Sequence, residues 1–167
     1  MLRNISRAVT GLMALFLAGA ASIMIANSAS AAVPSGHRQI RNAAYSQCVD
    51  APGGVLNVRL KLAPCSRLVS TRLWTFVPTG VADTYFVVNV ASGDCMEVND
   101  GTSTPGETVD EFTCNGSASE QWVVDGLTLR HAGTNQCLDT VSGRGSALMQ
   151  FTCGQASPPG AQSWIIE

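Results

Sequence analysis

Residues 137–164 read CLDTVSGRGSALMQFTCGQASPPGAQSW. A cysteine opens the stretch, and an acid, Asp139, stands two places after it. An aromatic, Phe151, stands two places before the second cysteine, and a tryptophan closes the run. The same skeleton occurs twice more upstream: Cys48, Cys65 and Trp74 form one copy, and Cys95, Cys114 and Trp122 the next. The distance from first cysteine to tryptophan is 26, 27 and 27 residues, and successive copies start 47 and 42 residues apart. Each opening cysteine is followed by an apolar residue and an acid, as CVD, CME and CLD. Self-similarity at such a period is the mark of a repeat architecture and takes precedence over any local motif.

Within each copy, β-branched and aromatic residues alternate with polar ones, as strands do. The first copy has RQIRN, Val49, VRLKLA and LWTFV. The second has TYFVVNV, CMEV, TVDEF and QWVV, and the third LTLRHA, CLD, ALMQF and SWII. APGG, NDGTSTPG and VSGRG supply turn chemistry between them. No stretch sustains a helical period. Four strands in each of three copies predict an all-β chain of about twelve strands. A propeller needs about four to eight blades, and a solenoid needs a longer array with atypical ends. A closed barrel with threefold pseudosymmetry fits three copies, because closure removes exposed sheet edges.

The segment ahead of the first copy has a different character. Arg3 and Arg7 precede an apolar run at 8–26, and then come the small residues NSASAAV. This is the layout of a secretory leader, with Ala29 and Ala31 satisfying the small-x-small rule for cleavage after Ala31 or Ala32. The apolar run is also long enough to span a bilayer, so an uncleaved anchor is the alternative. The expected domains are thus a leader at 1–32 and one domain at 33–167, with repeats at about 36–79, 80–126 and 127–167. Export places the protein outside the cell, where six cysteines in the mature part imply disulfides.

Mature residues 33–167 carry eight Lys+Arg and twelve Asp+Glu, a net charge of −4. That balance argues against nucleic acid as the main partner, and no other segment could cross a membrane. The charge is uneven: residues 33–79 carry +5, residues 80–126 carry −9, and residues 127–167 are neutral. A solvated dipolar surface is the plain reading; attraction between lobes, or steering of a partner, is the sharper one.

Cys–apolar–acid, a second cysteine about 17 residues on, and a Gln-x-Trp soon after it resemble the ricin B-type lectin repeat. QCLD, MQFTC and QSW carry the likeness in the third copy, DCME, DEFTC and EQW in the second, and QCVDAPGG, APC and RLW in the first. It covers nearly all of residues 36–167. The resemblance implies a β-trefoil of three pseudo-symmetric four-stranded repeats. It also implies disulfides inside each repeat, Cys48–Cys65, Cys95–Cys114 and Cys137–Cys153, each stabilising by about 3 kcal/mol in the chain-entropy picture. The tryptophans read as core, where a buried indole removes a large apolar area from water.

A sugar site needs an apolar face for the C–H side of the ring and polar groups for adjacent hydroxyls. A carboxylate grips hydroxyls through charge-assisted bonds, and an amide supplies donors. The resemblance implies that the carboxylate is the acid after the first cysteine and that the platform is the aromatic before the second. An Asn three places and a Gln two places before the tryptophan complete the set. The third copy offers Asp139, Phe151 and Gln162, with Ala161 in place of Asn and Gln155 in the insert QASPPGA as a substitute amide. The second offers Glu97 and Phe112, with Ser119 and Glu120 replacing both amides. The first has Asp50, but Ala63, Thr71 and Arg72 replace the rest. Each candidate also has a structural reading: Asp139 and Asp50 as turn-stabilising acids, Phe151 as packing, and Gln162 as a backbone-satisfying amide.

The resulting expectation is an exported, non-catalytic, monomeric carbohydrate-binding protein that uses no cofactor and no metal. It binds galactose-like sugars or polysaccharide, mainly through the third repeat. The alternative is a sugar-silent trefoil acting as a secreted protein-interaction or inhibitor module. The acidic stretch NDGTSTPGETVDE lacks the regular ligand spacing of a calcium loop, and no GxSxG, P-loop, HExxH or EF-hand pattern occurs.

Overall fold

The computed structural model describes residues 32–140 and 146–167. The expected leader and its cleavage site, except Ala32, lie outside the described residues, as does the whole VSGRG turn at 141–145. Among the described residues the chain is all-β, with thirteen strands and four short 3-10 turns. The first repeat holds β1 (Ile40–Asn42), β2 (Cys48–Asp50), β3 (Val58–Arg59), β4 (Lys61–Ala63) and β5 (Trp74–Pro78). The second holds β6 (Thr84–Asn89), β7 (Cys95–Val98), β8 (Val109–Phe112) and β9 (Gln121–Asp125). The third holds β10 (Thr128–His131), β11 (Cys137–Asp139), β12 (Met149–Phe151) and β13 (Trp164–Ile166).

The first and last strands of each repeat build a ring. Antiparallel ladders join β13 to β1, β5 to β6, β6 to β9 and β9 to β10. Two short contacts complete the circuit: Arg38 and Trp74 exchange backbone bonds of 2.8 Å each, and the Trp164 N–H donates to the Leu127 carbonyl at 2.7 Å. The six strands therefore close on themselves and leave no unpaired edge. The inner strands form three hairpins at one end of this barrel: β2–β4, β7–β8 and β11–β12.

The core repeats by threes. Ile40, Val87 and Leu129 fill one layer, and Val49, Met96 and Leu138, the residues after the opening cysteines, fill another. Trp74, Trp122 and Trp164 are buried, and each indole N–H donates to one of that second layer's carbonyls: Val49 at 3.1 Å, Met96 at 3.0 Å and Leu138 at 2.9 Å. The buried ring thus keeps its one polar group satisfied, which burial of an indole requires. On the threefold axis, Leu60, Val109 and Leu148 are all 0% exposed. Their backbones form a closed triangle: Leu60 N–H donates to Val109 at 3.0 Å, Val109 N–H to Leu148 at 3.0 Å, and Leu148 N–H to Leu60 at 2.8 Å.

The thirteenth strand is β3, whose Val58 and Arg59 pair with Glu111 and Asp110 of β8 in the second repeat, while β4, after Leu60, pairs with β2. The disulfides pair as the resemblance implies, Cys48–Cys65, Cys95–Cys114 and Cys137–Cys153, one in each repeat. The barrel base is covered by the segment leading into β1: Val33 packs against the core, and its N–H reaches the Tyr85 hydroxyl at 3.4 Å.

Candidate functional site

Side chains alternate across a strand, and directly paired residues share a face. One face of each hairpin therefore carries the opening cysteine, the acid two places on, and two residues from the return strand. Those sets are Cys48, Asp50, Lys61 and Ala63; Cys95, Glu97, Asp110 and Phe112; and Cys137, Asp139, Met149 and Phe151. The acid and the expected platform thus lie on one face in the second and third repeats, separated by one paired position. In the first repeat Ala63 leaves that face without a ring.

In the third repeat, Gln162 and Asp139 are in direct contact. The Gln162 Nε2 donates to Asp139 Oδ2 at 2.7 Å and to the Thr152 carbonyl at 2.9 Å, while Oε1 accepts from the Gly154 N–H at 2.9 Å. The other carboxylate oxygen accepts from the Thr140 N–H at 2.5 Å, the local bond that a turn-stabilising aspartate makes. Asp139 is only 1% exposed. Burial pushes its carboxyl above the usual range, while the Gln162 and Thr140 bonds pull it back. Phe151 is half-buried against Cys137. Gln155 is exposed, and its backbone N–H caps the Thr152 carbonyl at 3.2 Å. The insert QASPPGA leaves Ala161 buried, with its carbonyl bonded to Asn42 Nδ2 at 2.9 Å.

The second repeat arranges the same positions differently. Glu120 is buried and accepts from the N–H groups of Asn115, at 2.9 and 3.1 Å, and Gly116, at 2.9 Å. It performs the acceptor half of Gln162's role and has no donor for the other half. Its charge instead repels Glu97, which among the described residues accepts from Ser119 Oγ at 3.3 Å. Glu97 is raised first by burial, then by Glu120, with smaller pushes from Asp110 and Asp100 and a counter-pull from Ser119. Glu97 and Asp110 are directly paired, an arrangement that costs stability for like charges. Phe112 is 36% exposed, far more open than Asp139, Gln162 or Asp50.

In the first repeat Arg72 reverses the sign. Its Nε lies 3.4 Å from Asp50 Oδ1, and Nη1 donates to the Pro64 carbonyl at 2.8 Å. Thr71 Oγ1 donates to the same Asp50 oxygen at 2.6 Å. Pro64 and Thr152 both immediately precede the second cysteine, so Arg72 takes over the donor half of the Gln162 role. Asp50 is buried and engaged from within the protein.

A set of clamps six residues before each opening cysteine joins the repeats. Asn42 Nδ2 donates to Ala161, Asn89 Nδ2 donates to Thr71 at 3.0 Å, and His131 Nε2 lies 2.9 Å from the Ala118 carbonyl. Each holds the loop before the preceding repeat's tryptophan, the loop that carries the amide positions. Burial lowers the His131 pKa, so its imidazole favours the neutral form. The motif analysis did not single these residues out, although their fixed spacing from the cysteines was visible. Among the described residues no group of three or more His, Cys, Asp or Glu side chains is placed to hold a metal ion.

The family model of the ricin-type beta-trefoil lectin domain matches residues 36–164. No curated protein matches the chain in sequence. Solved structures do match in fold. A designed threefold-symmetric protein, ThreeFoil, superposes with a TM-score of 0.70 at 17% identity, covering 78% of this chain and 96% of its own. The C-terminal half of an earthworm R-type lectin, solved with GalNAc, gives 0.60 at 15% identity, covering 80% and 98%. The Polyporus squamosus lectin, solved with a sialylated galactose-containing epitope, gives 0.67 at 18% identity, covering 79% of this chain and 48% of that one. An exo-beta-1,3-galactanase from Clostridium thermocellum gives 0.69 at 16% identity, and the matched region covers 31% of that longer chain.

Proposed function

Because the chain belongs to the ricin-type beta-trefoil lectin family, we propose that it is an exported, non-catalytic lectin. In this reading it takes galactose-like sugars or polysaccharide ends chiefly through the third repeat. The observation that carries the assignment is the 2.7 Å bond from Gln162 to Asp139. It orients the carboxylate with a neutral donor, whereas Glu97 faces a second carboxylate and Asp50 is engaged by Arg72. Among the described residues Asp139 uses one acceptor direction on each oxygen, and an ionised carboxylate offers about four in all. In this reading the remaining directions take a pair of sugar hydroxyls, with Phe151 on the same hairpin face as the apolar contact. A single shallow site of this kind binds with a constant near ~1 mM, about −4 kcal/mol, so useful avidity needs a second site or a multivalent ligand.

Titration of the mature protein with galactose, N-acetylgalactosamine and a galactan tests this directly. Asp139→Ala removes binding while circular dichroism remains that of the native chain. Full binding by that variant overturns the third-repeat assignment, and loss on Asp50→Ala instead moves the site to the first repeat. Incubation with polysaccharides yields no turnover; sustained product release overturns the non-catalytic reading. N-terminal sequencing of the exported protein begins at Ala32 or Val33, and retention of residues 1–31 overturns leader cleavage.

The low exposure of Asp139, 1%, favours a second reading: a sugar-silent trefoil that engages proteins. Under it, neither Asp139→Ala nor Asp50→Ala changes glycan binding, because the native chain gives no signal on a glycan array.

A further inference from the structure

The core-facing residue of the third strand differs in chemistry among the repeats. It is Leu62 in the first, Gln150 in the third and Glu111 in the second, all buried. Leu62 packs in the hydrophobic cluster. Gln150 is satisfied at both ends: Oε1 accepts from Thr134 Oγ1 at 2.8 Å, and Nε2 donates to the carbonyls of Thr102 and Thr104 at 2.6 and 3.1 Å. Glu111 is 0% exposed. Its Oε1 accepts from the Ser92 hydroxyl, the counterpart of Thr134, but its Oε2 has no hydrogen-bond partner.

An ionised carboxylate in that position lacks compensation. Burying a charge is costly unless it is paired and fully hydrogen-bonded. The charged groups that act on Glu111 are Asp94, from the β6–β7 turn, and Asp50, from β2 across the repeat boundary, and both are acids. The nearby cations are committed elsewhere: Arg59 on β3 acts on Asp110, and Arg72 pairs with Asp50. The residues paired with Glu111, Val58 on β3 and Met96 on β7, are apolar. Burial above all, then the two acids, holds the Glu111 proton on above the usual carboxylate range, with the Ser92 bond pulling the other way.

Glu111 also sits on a seam. The β3–β8 pairing joins the first repeat to the second, and the Asn57 N–H donates to the Glu111 carbonyl at 2.8 Å. We propose that Glu111 is a proton-operated clasp between the first two repeats: with its carboxyl protonated, hairpin β7–β8 seats against β3, and loss of that proton loosens the seam. The opposite face of the same hairpin carries Glu97 and Phe112, so acid holds that face in shape and rising pH releases it. The sign follows from linkage. A carboxyl with a raised folded-state pKa stabilises fully below its unfolded pKa, and the contribution is lost as pH rises through the folded value.

The test compares thermal melts of the native chain, Glu111→Gln and Glu111→Leu from ~pH 4 to ~pH 8 at fixed salt. Glu111→Gln supplies the neutral amide of the third repeat, and Glu111→Leu the side chain of the first. The Tm of the native chain is expected to fall relative to both variants by at least ~3 °C across that range; other titrating groups cancel in the difference. Hydrogen exchange of the Asn57 amide, corrected for its intrinsic pH dependence, accelerates with pH in the native chain and not in Glu111→Gln, while the Arg130 amide in the third repeat behaves alike in both. Parallel melting profiles overturn the proposal. If neither variant folds, the native chain decides alone: pH-independent protection of Asn57 overturns the clasp, and a loss of protection there without one at Arg130 supports it.

Discussion

The second and third hairpins share a frame and differ most tellingly at the residue two before the tryptophan. In both, an acid follows the opening cysteine, a phenylalanine precedes the second, and the residue two before the tryptophan accepts backbone bonds from the loop after the disulfide. In the third repeat that residue is Gln162, whose amide nitrogen then reaches Asp139. In the second it is Glu120, both of whose oxygens accept backbone N–H bonds and whose charge repels Glu97. An NH2 exchanged for an oxygen turns a donor–acceptor contact into a contact between two acceptors. The lesson is that the scaffold requires an acceptor at this position in both repeats. The other atom of the pair varies, and with it the ability to present an oriented carboxylate.

The largest expected effect tests the shared part. Trp122→Ala and Trp164→Ala should each destabilise by about 3–5 kcal/mol in chemical denaturation, equally within error, because both indoles fill the same layer and make the same carbonyl bond. A difference of more than ~1 kcal/mol between them would break the equivalence of the two repeats.

Next comes conversion of the third site into the second. Gln162→Glu removes the donor to Asp139 and the Thr152 carbonyl, and it sets two carboxylates together in a buried site. A loss of about 1–3 kcal/mol in stability is expected at neutral pH, together with loss of sugar binding by calorimetry. Retention of binding would show that the Gln162–Asp139 bond does not prepare the ligand contact.

The reverse conversion is milder and depends on pH. Glu120→Gln keeps one acceptor, which the Asn115 and Gly116 amides can share, and gives Glu97 a neutral neighbour. Glu97 is raised in the folded protein, so its favourable contribution is complete below its unfolded pKa and is lost as pH rises through the folded value. The variant should therefore gain stability over the native chain, by ~1 kcal/mol at most, at neutral pH and lose that advantage in acid. A gain that is constant with pH would locate the effect elsewhere. Smallest of all, Ser119→Ala removes a 3.3 Å bond to a partly open carboxylate, and a change of ~0.5 kcal/mol or less is expected; a larger value would mean that Ser119 substitutes for the missing amide.

Much of the fold was legible because its determinants are local and repeated. Cysteine–tryptophan spacing marked the three units, the tryptophans proved to be core, and the three disulfides stayed within their repeats. The split between β3 and β4 was not legible, since β3 pairs with β8, a partner from another repeat, while β4 pairs with β2. The site was legible only as residue types. That Glu120 would be fully buried and bonded to backbone, or that Arg72 would occupy Asp50, depends on the depth of a loop positioned by clamps from the following repeat. Those clamps, Asn42, Asn89 and His131, differ in chemical identity, which hid a regularity that their spacing displayed.

The triangle at Leu60, Val109 and Leu148 has a consequence for how the molecule is made. Each corner gives its amide to one neighbour and receives from the other, so no subset of two completes the exchange. A nascent chain that has emitted only two thirds of its sequence holds a dangling donor and a dangling acceptor at its apolar centre. Maturation is therefore expected to be a single late event, awaiting the last module's arrival, and truncated products should be recognised by proteases as unfinished rather than persist as smaller stable proteins.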